Sequence, residues 1–263
     1  MIIDNKKAVL NKLKEKKPGI LHVIDPFKVE LCDAVEKAVE LQKNHFPALI
    51  LASTDYKNFN AHMPNYIKTI KSSVNIPIIL HFPPRYGCGY PLTVNTDALI
   101  YPFLLNSEKP YFVWKSLLET QEILLKKSTT KKYFPEFIYS AALTFGKDDV
   151  SYNVMQINPI HQKTKSLEKI LHAIKILGLD MVYLFSRYER IELETINYFA
   201  MNLPDDKIII ASGGIKERWQ IEEYLNAGAD YVVFCGALEC ENWRPVLKKL
   251  TKKDNRKKIL EMV

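Results

Sequence analysis

Two pairs of small residues carry the most legible chemistry in this chain. Gly213 and Gly214 follow an apolar run from Lys207 to Ala211, and Gly236 and Ala237 follow a second from Tyr231 to Cys235. Glycine just past a strand lets backbone N–H groups approach a ligand with no Cβ in the way. A helical stretch begins after the first pair, and amides at a helix N-terminus attract anions. Each pair alone could be a turn. Two of them at successive strand ends point instead to bound phosphate, which in (β/α)8 barrels commonly sits on the loops after the seventh and eighth strands.

Those loops need strands and helices to hold them, and the sequence supplies both. Apolar runs at Ile20 to Ile24, Ala48 to Ala52, Pro77 to Phe82, Ala98 to Tyr101, Phe137 to Leu143, Met181 to Phe185, Lys207 to Ala211 and Tyr231 to Cys235 are continuous rather than alternating. Strands buried on both faces read this way. Helical spacing fits Val29 to Asn44, Pro64 to Ser72, Val113 to Lys127, Leu167 to Leu177, Ile191 to Met201, Glu217 to Ala227 and Pro245 to Met262. Strands alternating with helices predict an α/β (β/α)8 TIM barrel, one domain over residues 1–263. One connection breaks the rhythm. Between Phe82 and Asp97 the chain is too rich in Pro and Gly for a helix, so the third helix is expected to be replaced by a loop or extended segment that opens a side groove.

Composition narrows the function classes. At 263 residues, 47% hydrophobic and 25% charged, the chain reads as a soluble globular enzyme, with no apolar run long enough to span a bilayer. The lysine-rich start lacks the apolar core of a signal peptide. Cys32, Cys88, Cys235 and Cys240 show no paired metal spacing; Cys32 and Cys235 fall in apolar patterns and are expected as buried thiols in a reducing cytoplasm. The net charge of +7 gathers in Lys6 to Lys17 and Lys248 to Lys258. These runs predict solvated helix faces, with peripheral contact to anionic lipid as the alternative. No recognition motif for nucleic acid accompanies them.

A set of motifs in order goes further: L-H-V-I-D-P-F-K from Leu21, I-L-A-S-T-D from Ile50, D-A-L-I-Y-P-F-L-L-N-S from Asp97, V-Y-L-F-S-R-Y from Val182, S-G-G-I from Ser212, and A-G-A-D-Y-V-V-F-C-G-A from Ala227. Together they resemble the geranylgeranylglyceryl/heptaprenylglyceryl phosphate synthase family of (β/α)8-barrel prenyltransferases, over roughly Ile20 to Glu241. H-F-P-P-R-Y-G-C-G-Y-P, Y-F-V-W-K-S-L-L-E-T and A-L-T-F-G make the chain most similar to the phosphoglycerate prenyltransferase branch of moenomycin-type phosphoglycolipid biosynthesis. That resemblance implies an ether between a farnesyl-type diphosphate and the 2-hydroxyl of 3-phosphoglycerate. The alternatives are a synthase using sn-glycerol 1-phosphate, or a barrel that binds without turnover. No D-D-x-x-D motif of the helical isoprenyl synthases is present.

The resemblance also implies roles. Asp25 and Thr54 match the family's Mg²⁺ ligands, and Asp55 is an additional candidate. Tyr183, Ser186, Ser212, Gly213, Gly214, Gly236 and Ala237 match contacts to the phosphorylated acceptor. Four positions depart from the glycerol-phosphate pattern: Val23 replaces a Lys, Phe27 an Asp, Ala237 an Asn, and Phe185 the Glu that holds the glycerol hydroxyls. A carboxylate at that last position would repel an acid acceptor, whereas Arg187 could clamp one, with Lys28 and Arg85 as further cations. Losing the Glu leaves the base open between His22, Tyr183 and late proton loss to pyrophosphate. Phe82, Tyr86, Tyr90, Tyr101, Phe103 and Phe145 are the candidates for a prenyl trough. A homodimer is expected from the family.

Overall fold

The computed structural model describes residues 7–54, 57–86, 88–128, 135–146, 153–158, 160, 164–187 and 189–252. Lys6, Asp55, Tyr188 and the basic run from Lys253 lie outside the described residues. Eight strands close in sequence order: β1 Gly19–Ile24, β2 Leu49–Leu51, β3 Ile78–Leu80, β4 Ala98–Leu104, β5 Glu136–Phe145, β6 Met181–Ser186, β7 Ile208–Ser212 and β8 Tyr231–Phe234. All neighbours are parallel, and β8 returns to β1 with Gly19 opposite Tyr231 and His22 opposite Phe234. The helices are α1 Ala8–Glu15, α2 Leu31–Lys43, α3 Phe59–Lys71, α4 Ser116–Ser128, α5 Thr164–Leu177, α6 Leu193–Asn202, α7 Arg218–Asn226 and α8 Trp243–Thr251. A π-helical turn, Tyr111–Lys115, leads into α4.

The strand interior and exterior divide by residue parity, as side chains alternate across any strand. Leu21, Val23, Ile50, Ile79, Ile100, Ile138, Ile210 and Val233 fill the barrel. Ile24, Leu49, Leu51, Tyr101, Phe103 and Phe145 face outward, into the layer shared with the helices. Both layers are apolar, which is why the runs show no alternation.

Helix α1 plugs the floor. Its Val9, Leu10 and Leu13 pack into the interior cluster, and the buried Glu136 carboxylate accepts Val9 N at 2.7 Å and Leu10 N at 2.9 Å. Those are two of the orphan N–H groups of a helix start. Tyr231 Oη donates to Leu13 O at 2.6 Å from the other side. The lysine-rich start is therefore not only a solvated face; its apolar residues at helical spacing close the end of the barrel opposite the glycine turns.

Between β3 and β4 no helix occurs among the described residues. The segment folds back instead: Arg85 bridges Gly89, Tyr90 N donates to Thr120 Oγ1 at 2.7 Å, and Phe82 N donates to Tyr90 Oη at 2.8 Å. Tyr90 then lies 5.7 Å from Tyr101, so the segment covers that flank rather than leaving it open. Two further expectations are corrected. Cys32 is exposed, because the buried face of α2 is Ala34, Lys37, Ala38 and Leu41; Cys235 is half-buried. No helix among the described residues is long and apolar enough to cross a membrane.

Candidate active site

The C-terminal ends of the strands surround a cavity of about 690 Å³. Parity decides which residues reach it. Asp25 continues the inward set of Leu21 and Val23 and stands on the rim, 6% exposed. Its Oδ1 accepts Phe27 N at 3.0 Å and its Oδ2 accepts Ser53 Oγ at 3.1 Å; Lys28 Nζ lies 3.6 Å from the same Oδ2. Backbone bonds from Lys28 N and Val29 N to Asp25 O tighten the turn that presents the carboxylate. Thr54 lines the same cavity.

The glycine turns follow β7 and β8, and β8 pairs directly with β1, so they lie on the carboxylate's side of the barrel. Gly213 has φ +131° and Gly214 φ +64°, values that a side chain disfavours. A Cβ on Gly213 would sit 2.4 Å from Ser186 O, and one on Gly214 would sit 2.9 Å from Arg190 Cγ. Both positions therefore demand glycine, and both line the cavity with Ser186, Ser212, Gly236 and Ala237. Gly236 opens a short 3-10 turn, Gly236–Leu238, and a Cβ there would meet nothing within 4 Å. The fold leaves room for a side chain at that point.

Tyr183 projects inward beside them, 4% exposed, with His81 stacked on it at 4.9 Å. Burial raises the Tyr183 hydroxyl above its ordinary range, so it stays protonated at neutral pH. Burial also lowers His81, to about 4, leaving the imidazole neutral there. Around the mouth stand the cations of Lys28, Arg187 and Lys216 against the carboxylates of Asp25 and Glu239. The other wall is apolar, made by Phe82, Pro83, Pro84, Leu104, Phe112 and Met155.

Several expected residues are elsewhere. His22 is on the outward parity, 2% exposed, donating Nδ1–H to Phe234 O at 2.9 Å, and it does not line the cavity. That placement removes it as a base for chemistry in the cavity. Of the six aromatic candidates only Phe82 lines it. Tyr101, Phe103 and Phe145 are packed outside the barrel, Tyr101 bonded to Ser116 Oγ at 2.6 Å. Tyr90 is buried in the covering segment, and Tyr86 is 58% exposed, stacked on Tyr111 at 4.0 Å. Phe27 and Arg85 are not among the lining residues, while Val23 and Phe185 are. Sequence reasoning missed Ser53, Lys216, Phe112 and Met155. Ser53 adjoins Thr54 and Lys216 follows the glycine pair closely, signals that were available; Phe112 lies in the π-helical turn before α4 and Met155 in a turn, with no motif to single out either.

His22 carries a prediction of its own. Burial lowers its pKa to about 3, against an ordinary value of 6.5. Below pH 6.5 the unfolded chain takes up a proton that the folded chain refuses until about pH 3, so stability is lost as pH falls through that window. The loss is about 1.4 kcal/mol per pH unit crossed. Thermal unfolding of wild type between pH 7 and pH 4 is expected to show a slope of this sign, to which His81, lowered to about 4, adds its own share, and His22→Asn, which keeps a donor for Phe234 O, is expected to make it shallower. An unchanged slope in the variant would assign the acid sensitivity to other groups.

Closed parallel barrel, doubled glycine turns and a rim carboxylate define a TIM barrel with a cavity at the C-terminal mouth of its strands. Residues 11–253 match the PcrB family, and the chain belongs to it. It is 27% identical over 249 residues to the geranylgeranylglyceryl phosphate synthase of Nitrosopumilus maritimus, covering 93% of this chain and 94% of that protein. The Caldivirga maquilingensis geranylgeranylglyceryl phosphate synthase is also 27% identical, over 92% of this chain and 88% of its own length. These relatives are prenyltransferases, and family membership places this chain in that enzyme class. Among solved structures, the fold is similar to the wild-type GGGPS of Thermoplasma volcanium, with TM-score 0.76, 23% identity, and coverage of 93% of this chain and 94% of that one. It is likewise similar to the Thermoplasma acidophilum synthase in complex with substrate sn-glycerol-1-phosphate, with TM-score 0.77, 18% identity, and coverage of 92% and 95%.

Proposed function

We propose that this chain forms an ether between a prenyl diphosphate and a hydroxyl of a phosphorylated three-carbon acceptor. The observation that carries the reading is one cavity with two unlike sides: glycine turns, cations and a buried carboxylate at the ends of β6, β7, β8 and β1, and an apolar wall on the other side. Its volume is within the range of cavities that enclose small ligands. The glycine turns and Ser186 would take the acceptor's phosphate. The prenyl chain would lie along Phe82, Pro83, Pro84, Leu104, Phe112 and Met155.

Asp25, with the hydroxyls of Ser53 or Thr54, fits a hard cation that draws its remaining ligands from water and substrate oxygens. Bound there, Mg²⁺ would neutralise the diphosphate as it leaves. Lys28, 62% exposed, is long enough to leave Asp25 and meet the same negative charge. The C–O bond to pyrophosphate breaks with its electron pair, and the acceptor oxygen forms the new bond at the allylic carbon. Tyr183, held protonated, donates a hydrogen bond to the acceptor. The hydroxyl proton leaves late, to His81, which is neutral at pH 7, or to the departing pyrophosphate.

Two acceptors belong to this class. sn-Glycerol 1-phosphate is supported by the names of the relatives and by the acceptor in the Thermoplasma acidophilum complex. 3-Phosphoglycerate is supported by the rim: Phe185 and Val23 supply apolar surface at the acceptor end, and Arg187 and Lys216 add positive charge beside it. An extra carboxylate on the substrate suits that balance. We take 3-phosphoglycerate with a farnesyl-type donor as the finer proposal. Purified protein incubated with labelled farnesyl or geranylgeranyl diphosphate, Mg²⁺ and each acceptor separately is expected to give ether product with 3-phosphoglycerate. Product from sn-glycerol 1-phosphate alone would instead make the chain a prenylglyceryl phosphate synthase.

A further inference from the structure

Glycine permits the backbone of Gly213 and Gly214 but does not select it, because the residue adopts many other conformations as readily. Some group must hold the turn in the form that faces the cavity. Arg190 is placed to do so. Its Cγ lies 2.9 Å from where a Gly214 Cβ would be, and Arg190 N lies 3.4 Å from that point. The guanidinium is fixed from three sides: Nη2 meets Glu223 Oε2 at 2.5 Å, the Trp219 ring is 5.1 Å away, and the Tyr224 ring 5.5 Å away. Tyr224 ties the same corner together, accepting Ile191 N at 2.6 Å and donating weakly to Gly213 O at 3.4 Å. Just beyond, Gln220 Oε1 accepts Lys216 N at 2.6 Å and Glu217 N at 2.9 Å, which fixes the exit into α7.

Arg190 does not line the cavity, so its effect passes through the turn. We infer that Arg190 is a positioning residue: stacked between Trp219 and Tyr224 and paired with Glu223, it clamps the Gly213–Gly214 turn from behind in its anion-receiving form. The planar guanidinium is suited to this, since it stacks on rings and pairs with a carboxylate at once, which an ammonium does not. The inference deepens the proposed phosphate site and rests on that reading for its catalytic consequence. Its structural part stands without a ligand.

The test separates the two. Amide hydrogen exchange across residues 212–217 is compared between wild type, Arg190→Met and Arg190→Lys, each with and without inorganic phosphate. Without phosphate, Arg190→Met is expected to exchange at least tenfold faster in this segment while strands β1 to β5 stay unchanged, and Arg190→Lys to recover less than half of the difference. Equal exchange in wild type and Arg190→Met overturns the clamp. If Arg190→Met does not fold, Glu223→Gln takes its place, with a smaller expected acceleration and the same overturning result. Phosphate is expected to slow exchange in wild type; no slowing there overturns the phosphate site and leaves the clamp judged on the ligand-free data. In turnover, Arg190→Met is expected to raise the acceptor KM about tenfold and change the prenyl diphosphate KM less than twofold. Equal rises in both would make the role merely structural.

Discussion

Asp25→Asn is expected to lower kcat at least a thousandfold while leaving the fold intact. The substitution keeps side-chain volume and an oxygen for Phe27 N, and the contact with Ser53 reverses, the new amide NH2 donating to Ser53 Oγ. It removes the negative charge on which a cation beside the leaving pyrophosphate depends. A thousandfold is about 4 kcal/mol of transition-state stabilisation, within what a Lewis-acidic cation contributes to a departing anion. The thermal midpoint, read alongside steady-state turnover, is expected to stay within a few degrees of wild type. Retained turnover in a folded variant would take Asp25 out of the reaction.

The second large effect is at the acceptor end. Arg187→Glu is expected to reduce kcat/KM for 3-phosphoglycerate about 30- to 100-fold, a loss of roughly 2–3 kcal/mol from replacing an attractive charge by a repulsive one at a partly solvated rim. The KM for prenyl diphosphate is expected to change less than threefold, because Arg187 stands with the glycine turns rather than along the apolar wall. Measured against sn-glycerol 1-phosphate, the same variant should lose much less. Equal losses on donor and acceptor would argue that Arg187 supports the loop and does not touch the carboxylate.

The barrel was legible because buried parallel strands leave continuous apolar runs, and each expected run overlaps an observed strand. β4 and β5 extend further than the runs suggested, through Leu104 and Phe145. The same continuity hid the inside from the outside. In a strand apolar on both faces nothing local says which parity points inward: Tyr101, Phe103 and Phe145, candidates for a prenyl trough, and His22, a candidate base, all face the outer layer. A single anchored residue would have resolved β1: if Asp25 faces the cavity, Val23 does too and His22 does not. Helix α3 begins at Phe59 rather than Pro64, since Asn58 in a left-handed conformation starts it and the proline sits inside. The helix face at the start of the chain was legible, but the role of α1 in closing the barrel was obscured because its lysines dominate the composition while three apolar residues do the packing. The glycine turns were the clearest element of the site. Their conformation is a backbone requirement, and only glycine meets it at Gly213 and Gly214.

The most direct test of the account is a crystal structure with 3-phosphoglycerate, Mg²⁺ and an unreactive thio analogue of farnesyl diphosphate bound together. The account predicts phosphate density against the Gly213–Gly214 and Gly236–Ala237 backbone, a metal at Asp25, and the isoprenoid along Phe82, Phe112 and Met155. Phosphate bound away from the glycine turns, or an isoprenoid lying outside the barrel against Tyr101 and Phe103, would contradict it.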